Sequence, residues 1–240
     1  MTEEYTFPPY AEEMQKIVDK FGGTKMETYQ GEDVTPLWDM KGGGIAWSFK
    51  YLYAVPKLEK LLFSVQSYRD KLMTYTTIAW PDDAHALPIY SSFWAESAKG
   101  SYCIVDLYPT ADCICDLPYL ETYLDPLEDI YDKSLNDFPE KPKRDLSWFR
   151  TFSSPYAIRL DLSASTSQSR TKLMKLTTDY FKCYYDLWGK DEPRDPAYMR
   201  ALNHRKQAIR TIMQERDPGG AMLESALGEK MAALSLRALF

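Results

Sequence analysis

The feature that most restricts the fold of this 240-residue chain is a run of short apolar and aromatic segments between Gly44 and Pro109. Residues 45–51, 61–65, 72–80, 89–95 and 102–107 each carry the aromatic and β-branched texture of a strand. Turn signals separate several of them: Arg69-Asp70, Pro81-Asp82-Asp83 and Lys99-Gly100. Parallel neighbours need crossovers of about a dozen residues or more, usually a helix. The connections here are short, so the pattern predicts an antiparallel meander rather than βαβ units.

Helical periods flank this block. Met14, Ile17, Val18 and Phe21 recur at helical spacing over residues 10–21, and Gly22-Gly23 stops the segment. After Pro118 the helical period returns over residues 119–131. A loop, Pro139-Glu140-Lys141-Pro142-Lys143, follows. Residues 149–162 read as a further strand, because Tyr156, Ile158, Leu160 and Leu162 alternate with other residues. Residues 165–188, 196–216 and 220–239 read as helices, set off by Pro193, Pro196 and Pro218-Gly219-Gly220. The chain contains no repeat, low-complexity tract or linker. The expectation is one α+β domain over residues 1–240, an antiparallel sheet covered by helices.

Composition removes several function classes. A hydrophobic fraction of 45% with 14% aromatics supports a substantial core and argues against disorder. Charges interrupt every apolar run well short of the ~20 residues that cross a bilayer. The net charge of −6 disfavours a broad nucleic-acid-binding face. Four cysteines make no disulfide scaffold, and the acidic start Met1-Thr2-Glu3-Glu4 leads into no apolar signal segment. A cytoplasmic protein without membrane or nucleic-acid partners is expected. No heptad pattern asks for a dimer, so a monomer is expected too.

Few motifs carry chemistry by spacing alone. Cys113-x-Cys115 lacks the second pair that a structural zinc site wants. Two histidines, His85 and His204, exclude a histidine-rich metal centre. Gly42-Gly43-Gly44 opens a strand and lacks the phosphate-loop spacing, and no dinucleotide fingerprint is present. Asp217 sits in Arg216-Asp217-Pro218-Gly219, strong turn chemistry that reads as a helix-capping carboxylate.

Collinear segments add what spacing does not. His204-Arg205, Ile209, Arg216-Asp217, Met222-Leu223-Glu224, Ala226-Leu227-Gly228-Glu229 and Leu239-Phe240 follow one another like the closing helices of one family. Leu87-Pro88-Ile89-Tyr90 and Val105-Asp106-Leu107-Tyr108-Pro109-Thr110 are similar to its paired central strands. Arg144-Asp145-Leu146-Ser147-Trp148 with Phe152-Ser153 resembles its "R-x-L-P-x-W-G-x-x-F-S" segment. From about Gly44 onward the chain resembles the ferredoxin-dependent bilin reductases, most closely the phycocyanobilin:ferredoxin oxidoreductase branch. Around Phe152-Ser153-Ser154-Pro155 it also resembles the red chlorophyll catabolite reductases.

The resemblance implies a three-layer α/β/α sandwich with a central antiparallel sheet, holding an open-chain tetrapyrrole between sheet and C-terminal helices. It implies no metal and no bound cofactor. Reduced ferredoxin is the implied partner and electron donor, while side chains supply protons from groups poised near working pH. Asp217 matches the family's C-terminal proton donor. Arg144 matches an arginine that pairs with a substrate propionate, a role suited to a planar guanidinium. Arg144, Lys141 and Lys143 are candidates for a basic ferredoxin-docking patch. The other acid–base positions depart from the pattern: the central acid falls on Phe93, the histidine on Thr76 and the glutamate on Ser64. Phe93, Thr76, Ser64 and Ser153 are expected to contact substrate without donating as the family's acids do. Glu96 lies an odd number of positions from Phe93, which puts it on the opposite face of a regular strand. A reductase with atypical acids is the leading expectation. A bilin carrier without catalysis and a reductase of an opened chlorophyll product are the alternatives.

Overall fold

A computed structural model describes residues 9–69, 72–138, 147–162 and 166–240. Arg144, Lys141 and Lys143 lie outside these residues, as do the loop at 139–143 and most of the segment containing Arg144. In chain order the elements begin with α1 (Pro9–Lys20), β1 (Thr24–Lys25), β2 (Thr28–Tyr29), β3 (Glu32–Asp33), β4 (Met40–Gly42) and β5 (Ile45–Ala54). There follow β6 (Leu58–Tyr68), β7 (Met73–Pro81), β8 (Ile89–Ser97), β9 (Gly100–Tyr108), α2 (Leu117–Tyr123), α3 (Glu128–Asp137) and β10 (Ile158–Leu162). Four helices close the chain: α4 (Ser167–Lys190), α5 (Pro196–Arg216), α6 (Gly219–Leu227) and α7 (Glu229–Leu239).

The meander forms as its short connections require. The main sheet runs β1-β5-β6-β7-β8-β9-β10, with β4 added beside β5, and every described pairing is antiparallel. Alternation divides the residues between two faces. Phe63, Val65, Tyr75, Tyr90, Trp94 and Val105 point to one side and join the largest core cluster with α1 and α4. Ile78, Trp80, Ile89 and Tyr108 point to the other side, where Ile209, Met213 and Phe240 cover them. Strand β6 is buried along nearly its whole length because both faces are covered. Helices on each face of one antiparallel sheet make the three-layer α+β architecture.

The long helix α5 passes the end of the sheet. Its first half, Met199 and Leu202, packs in the large cluster, and Ile209 and Met213 pack in the other. Lys206 fixes the crossing point: fully buried, it donates to the carbonyls of Pro81 (3.0 Å) and Asp82 (3.1 Å) and pairs with Asp83 (2.7 Å). The sheet also grips the C-terminal turns of α7. Lys50 donates to the Ser235 carbonyl (3.3 Å), Lys60 to that of Arg237 (3.2 Å) and the Trp80 indole to that of Leu239 (3.1 Å). The carbonyls of Arg237 and Leu239, in the last turn, lack intrahelical donors and carry partial negative charge, so the buried Lys60 cation and the Trp80 N–H are favourable there.

Three helical or strand expectations need correction. The segment at 119–131 is two helices, interrupted by a 3-10 turn at Asp125–Leu127 that contains Pro126. The segment at 220–239 is also two, because Gly228 takes φ +78 and ends α6 with the left-handed conformation that glycine permits. The strand expected over 149–162 is confined to Ile158–Leu162; Phe149–Thr151 is a 3-10 turn. What holds the intervening stretch off the ladder is Asp106, whose carboxylate accepts from the Ser154 backbone N–H (2.9 Å) and hydroxyl.

Candidate active site

Between the sheet and helices α5, α6 and α7 lies a cavity of about 490 Å³, within the range of small-molecule sites. Register explains its floor. Ser64 on β6 opposes Thr76 on β7, Thr76 opposes Phe93 on β8, Phe93 opposes Ile104 on β9, and Ile104 opposes Arg159 on β10. Cross-strand partners share a face, and strands are about 4.8 Å apart. The part of this row from Thr76 to Arg159 therefore makes a broad, flat floor. Trp148 and Phe149 close one side, and Met222, Leu223, Leu239 and Phe240 supply the helical wall.

Asp217 enters from the junction of α5 and α6. Its backbone N–H still bonds the Met213 carbonyl (3.0 Å) and so ends α5, while its carboxylate accepts from the Gly219 N–H (2.7 Å) at the start of α6. The capping role read from turn chemistry is present, and the same side chain lines the cavity. Burial raises its proton affinity above that of an ordinary aspartate, against the opposing effects of the Gly219 hydrogen bond and the positive charge of Lys50. A carboxyl in this state is suited to hold and release a proton.

The cavity also carries a cation. Arg159 and Asp217 are the two charged side chains among the described lining residues. The Arg159 guanidinium lies 5.4 Å from the Tyr102 ring centre and 5.9 Å from that of Phe149. Stacking on aromatic faces restricts its orientation. Much of the remaining lining is aromatic and aliphatic, with Phe93 and Tyr102 at 6.2 Å between ring centres. The Gln66 side-chain amide nitrogen, on the same lining, has no donor contact among the described residues.

The structure brings Asp217, Thr76 and Phe93 together at this cavity. Ser64 sits one strand behind Thr76 in the same row; it is buried, and its hydroxyl lacks a partner among the described residues. Ser153 is not on the described lining, and its hydroxyl is committed to the Phe149 carbonyl (2.9 Å). Glu96 pairs with Arg170 of α4 at 2.5 Å, and β8 keeps unbroken register from Ile89 to Ser97. Parity thus places Glu96 on the face away from Phe93. Arg159 escaped the sequence reading although the alternation of Ile158, Leu160 and Leu162 implies that residues 159 and 161 face the other way. Asp106 escaped too; a lone carboxylate within an apolar strand was the available signal.

Among the described residues no group of three or more histidine, cysteine or acidic side chains is arranged to hold a metal ion, and no helix is long and apolar enough to cross a membrane. A second cavity, about 520 Å³, lies between α2, α3 and α4 on the other side of the molecule. Its charged rim mixes Lys182, Lys190 and Arg194 with Asp179 and Asp186.

Known proteins share the fold and the family of this chain. The fold matches the crystal structure of phytochromobilin synthase from tomato in complex with biliverdin, with a TM-score of 0.82 at 19% identity, over 95% of this chain and 80% of that one. The chloroplastic phytochromobilin:ferredoxin oxidoreductase of Arabidopsis thaliana is 21% identical over 179 residues, 74% of this chain. The aligned part spans about half of that relative, 54% of its length. Residues 19–239 match the family described as ferredoxin-dependent bilin reductase, and the chain belongs to that family.

Proposed function

We propose that this protein catalyses ferredoxin-dependent reduction of a linear tetrapyrrole, biliverdin or a dihydrobiliverdin, in the cavity between sheet and C-terminal helices. The observation that carries the reading is the placement of Asp217: a partly buried carboxyl of raised proton affinity at the wall of a cavity that Arg159 also lines. A flat conjugated pigment suits the aromatic lining, and stacking against Phe93 and Tyr102 favours it over a compact ligand. Arg159 faces the carboxylates of the bound pigment, and the orphan amide of Gln66 donates to one of its acceptors.

Reduction of one double bond adds two electrons and two protons. Two reduced ferredoxins each give one electron; Asp217 gives one proton to the pigment beside it, and the second comes from solvent water, directly or by reprotonating Asp217. The floor holds Thr76 and Phe93 where the family pattern has acid–base groups, so the proton supply is one-sided. One two-electron reduction near a single terminal ring follows from that asymmetry. Ferredoxins are acidic, so docking uses a local basic patch and weakens as salt screens it.

The decisive experiment is anaerobic incubation with biliverdin, reduced ferredoxin and a reductant, with chromatographic identification of the product. Binding should perturb the visible band, and turnover should shift it further within minutes. Asp217→Asn keeps the shape and removes the acid; it should retain the bound spectrum and lose turnover by about 100-fold, the lower end of what a positioned acid contributes. Undiminished product from the variant removes Asp217 from the chemistry. A perturbed band that never changes on reduction supports the second reading, a bilin carrier, which the substitution of acids by Phe93, Thr76 and Ser64 favours.

A further inference from the structure

The row that floors the cavity does not end at Thr76. Beyond Ser64 it continues to Lys50 on β5, which opposes Ser64 in register. Lys50 is fully buried, and among the described residues its ammonium bonds the Ser235 carbonyl and hydroxyl but no carboxylate. An ammonium taken from water without a contacting counter-ion is costly to keep charged. Burial accordingly lowers Lys50 to about 7, and the negative charge of Asp217 works against that fall. The influence is mutual, because Lys50 favours the ionised form of Asp217.

We propose that Lys50 is a positioning residue whose charge, from behind Ser64 and Thr76, sets how readily Asp217 releases its proton into the cavity. It stabilises the carboxylate left after transfer and takes no part in contacting the ligand. Packing brings the two groups to one place: Lys50 holds Ser235, the adjacent Leu236 lies against Gly220 and lines the cavity with Asp217, and Asp217 holds the Gly219 N–H. The groups coupled to Asp217 are Lys50 from β5, the Tyr108 phenol from β9 and the Gly219 N–H from α6. Those coupled to Lys50 are Asp217, Lys60 from β6 and Ser235 from α7.

A purely structural account makes Lys50 a clamp on α7. Lys60 supplies the control for it. Lys60 is equally buried and holds the Arg237 carbonyl of the same helix, but its charge answers to Arg210, Glu59 and Lys50 rather than Asp217. A clamp effect is common to both lysines; the charge effect belongs to Lys50. The coupling itself does not require the proposed reaction, although its kinetic consequence rests on Asp217 being the donor.

Infrared difference titration of the ligand-free protein tests the coupling, with Asp217→Asn identifying the carboxyl band. Lys50→Met should move the Asp217 midpoint upward by about one pH unit or more, the effect of removing a nearby opposite charge. Lys60→Met should leave that midpoint nearly unmoved, and Lys50→Arg should return it toward wild type. With bilin and reduced ferredoxin, the loss of turnover at rising pH should shift upward by the same amount in Lys50→Met. An Asp217 midpoint unchanged by Lys50→Met, one moved equally by Lys60→Met, or a band that does not titrate overturns the proposal. Absence of bilin reduction by the wild type would reject the proposed reaction, while the spectra of the ligand-free protein still decide the coupling.

Discussion

Asp106 holds Ser154 at two points, accepting from its backbone N–H at 2.9 Å and from its hydroxyl. The same carboxylate accepts from the Leu107 N–H at 2.8 Å. Both residues are buried, and the contact joins β9 to the stretch that carries the Trp148–Phe149 wall of the cavity. Burial is the dominant influence on this carboxyl and lifts it to about 7, although its hydrogen bonds pull the other way.

The sign of the resulting pH dependence is fixed. A carboxyl that binds its proton more tightly when folded stabilises the protein fully below its unfolded value, near 3.9, and loses that contribution as pH rises through about 7. Asp106→Asn should remove this slope, leaving a flatter stability curve between those limits in urea titrations. It should also cost about 1–3 kcal/mol, since an amide nitrogen facing the Ser154 donors leaves them unsatisfied. A variant with the wild-type slope would assign the pH dependence elsewhere.

Arg159 and Asp217 face one cavity from β10 and the α5–α6 junction, and that polarity makes a prediction about ligand form. Arg159→Met should raise the Kd for biliverdin by about 10-fold or more, the scale of one charge-assisted hydrogen bond. The wild type should favour the free dicarboxylate over its dimethyl ester, and the variant should bind both alike. Visible titration measures all four constants. Equal discrimination in both proteins would move the carboxylates away from β10.

Phe93 stands in a continuous row with Thr76 and Ile104, its ring partly buried beside Tyr102. Aromatic contact is worth about 0.5–1.5 kcal/mol beyond area burial. Phe93→Leu should therefore weaken bilin binding by roughly 2- to 10-fold and leave the Asp217-dependent turnover of the bound complex nearly unchanged. A large loss of kcat at saturating pigment would show that the ring orients the reacting bond.

How far the site could be read from sequence follows from the kind of interaction involved. The five long strands are legible because each is a local texture and the connections are too short for crossovers. Asp217 is legible as a turn residue because Asp-Pro-Gly acts on its own backbone. Lys50 and Arg159 were not legible as site residues: alternation gives the face of a side chain, but sharing one row depends on register across six strands, and register is a tertiary property. Gly228 hid the break between α6 and α7 because helical periodicity continues on both sides of it. Ser153 matched a local motif, yet its hydroxyl turns back to Phe149, and no motif encodes that choice.

Gly43 ties the helical wall to the sheet edge. It takes φ +56 in the turn between β4 and β5, and a Cβ built there would sit 2.0 Å from the Ala226 carbonyl oxygen of α6. Gly44 donates its N–H to that same oxygen at 3.2 Å, so the turn and the last residues of α6 are in direct backbone contact. Gly43→Ala meets two costs at once: a positive φ that alanine resists and a clash with backbone that has no rotamer to yield. About 2 kcal/mol or more of destabilisation is expected, because neither cost relaxes without moving α6. Since α6 carries Met222 and Leu223 of the cavity wall, displacement should also weaken bilin binding. Gly42, with φ +116 and no atom near its missing Cβ, separates the two causes. Gly42→Ala should lower thermal stability through backbone strain alone and leave bilin affinity intact, whereas Gly43→Ala should lower both. Equal losses of affinity in the two variants would show that the turn, not its contact with α6, maintains the cavity.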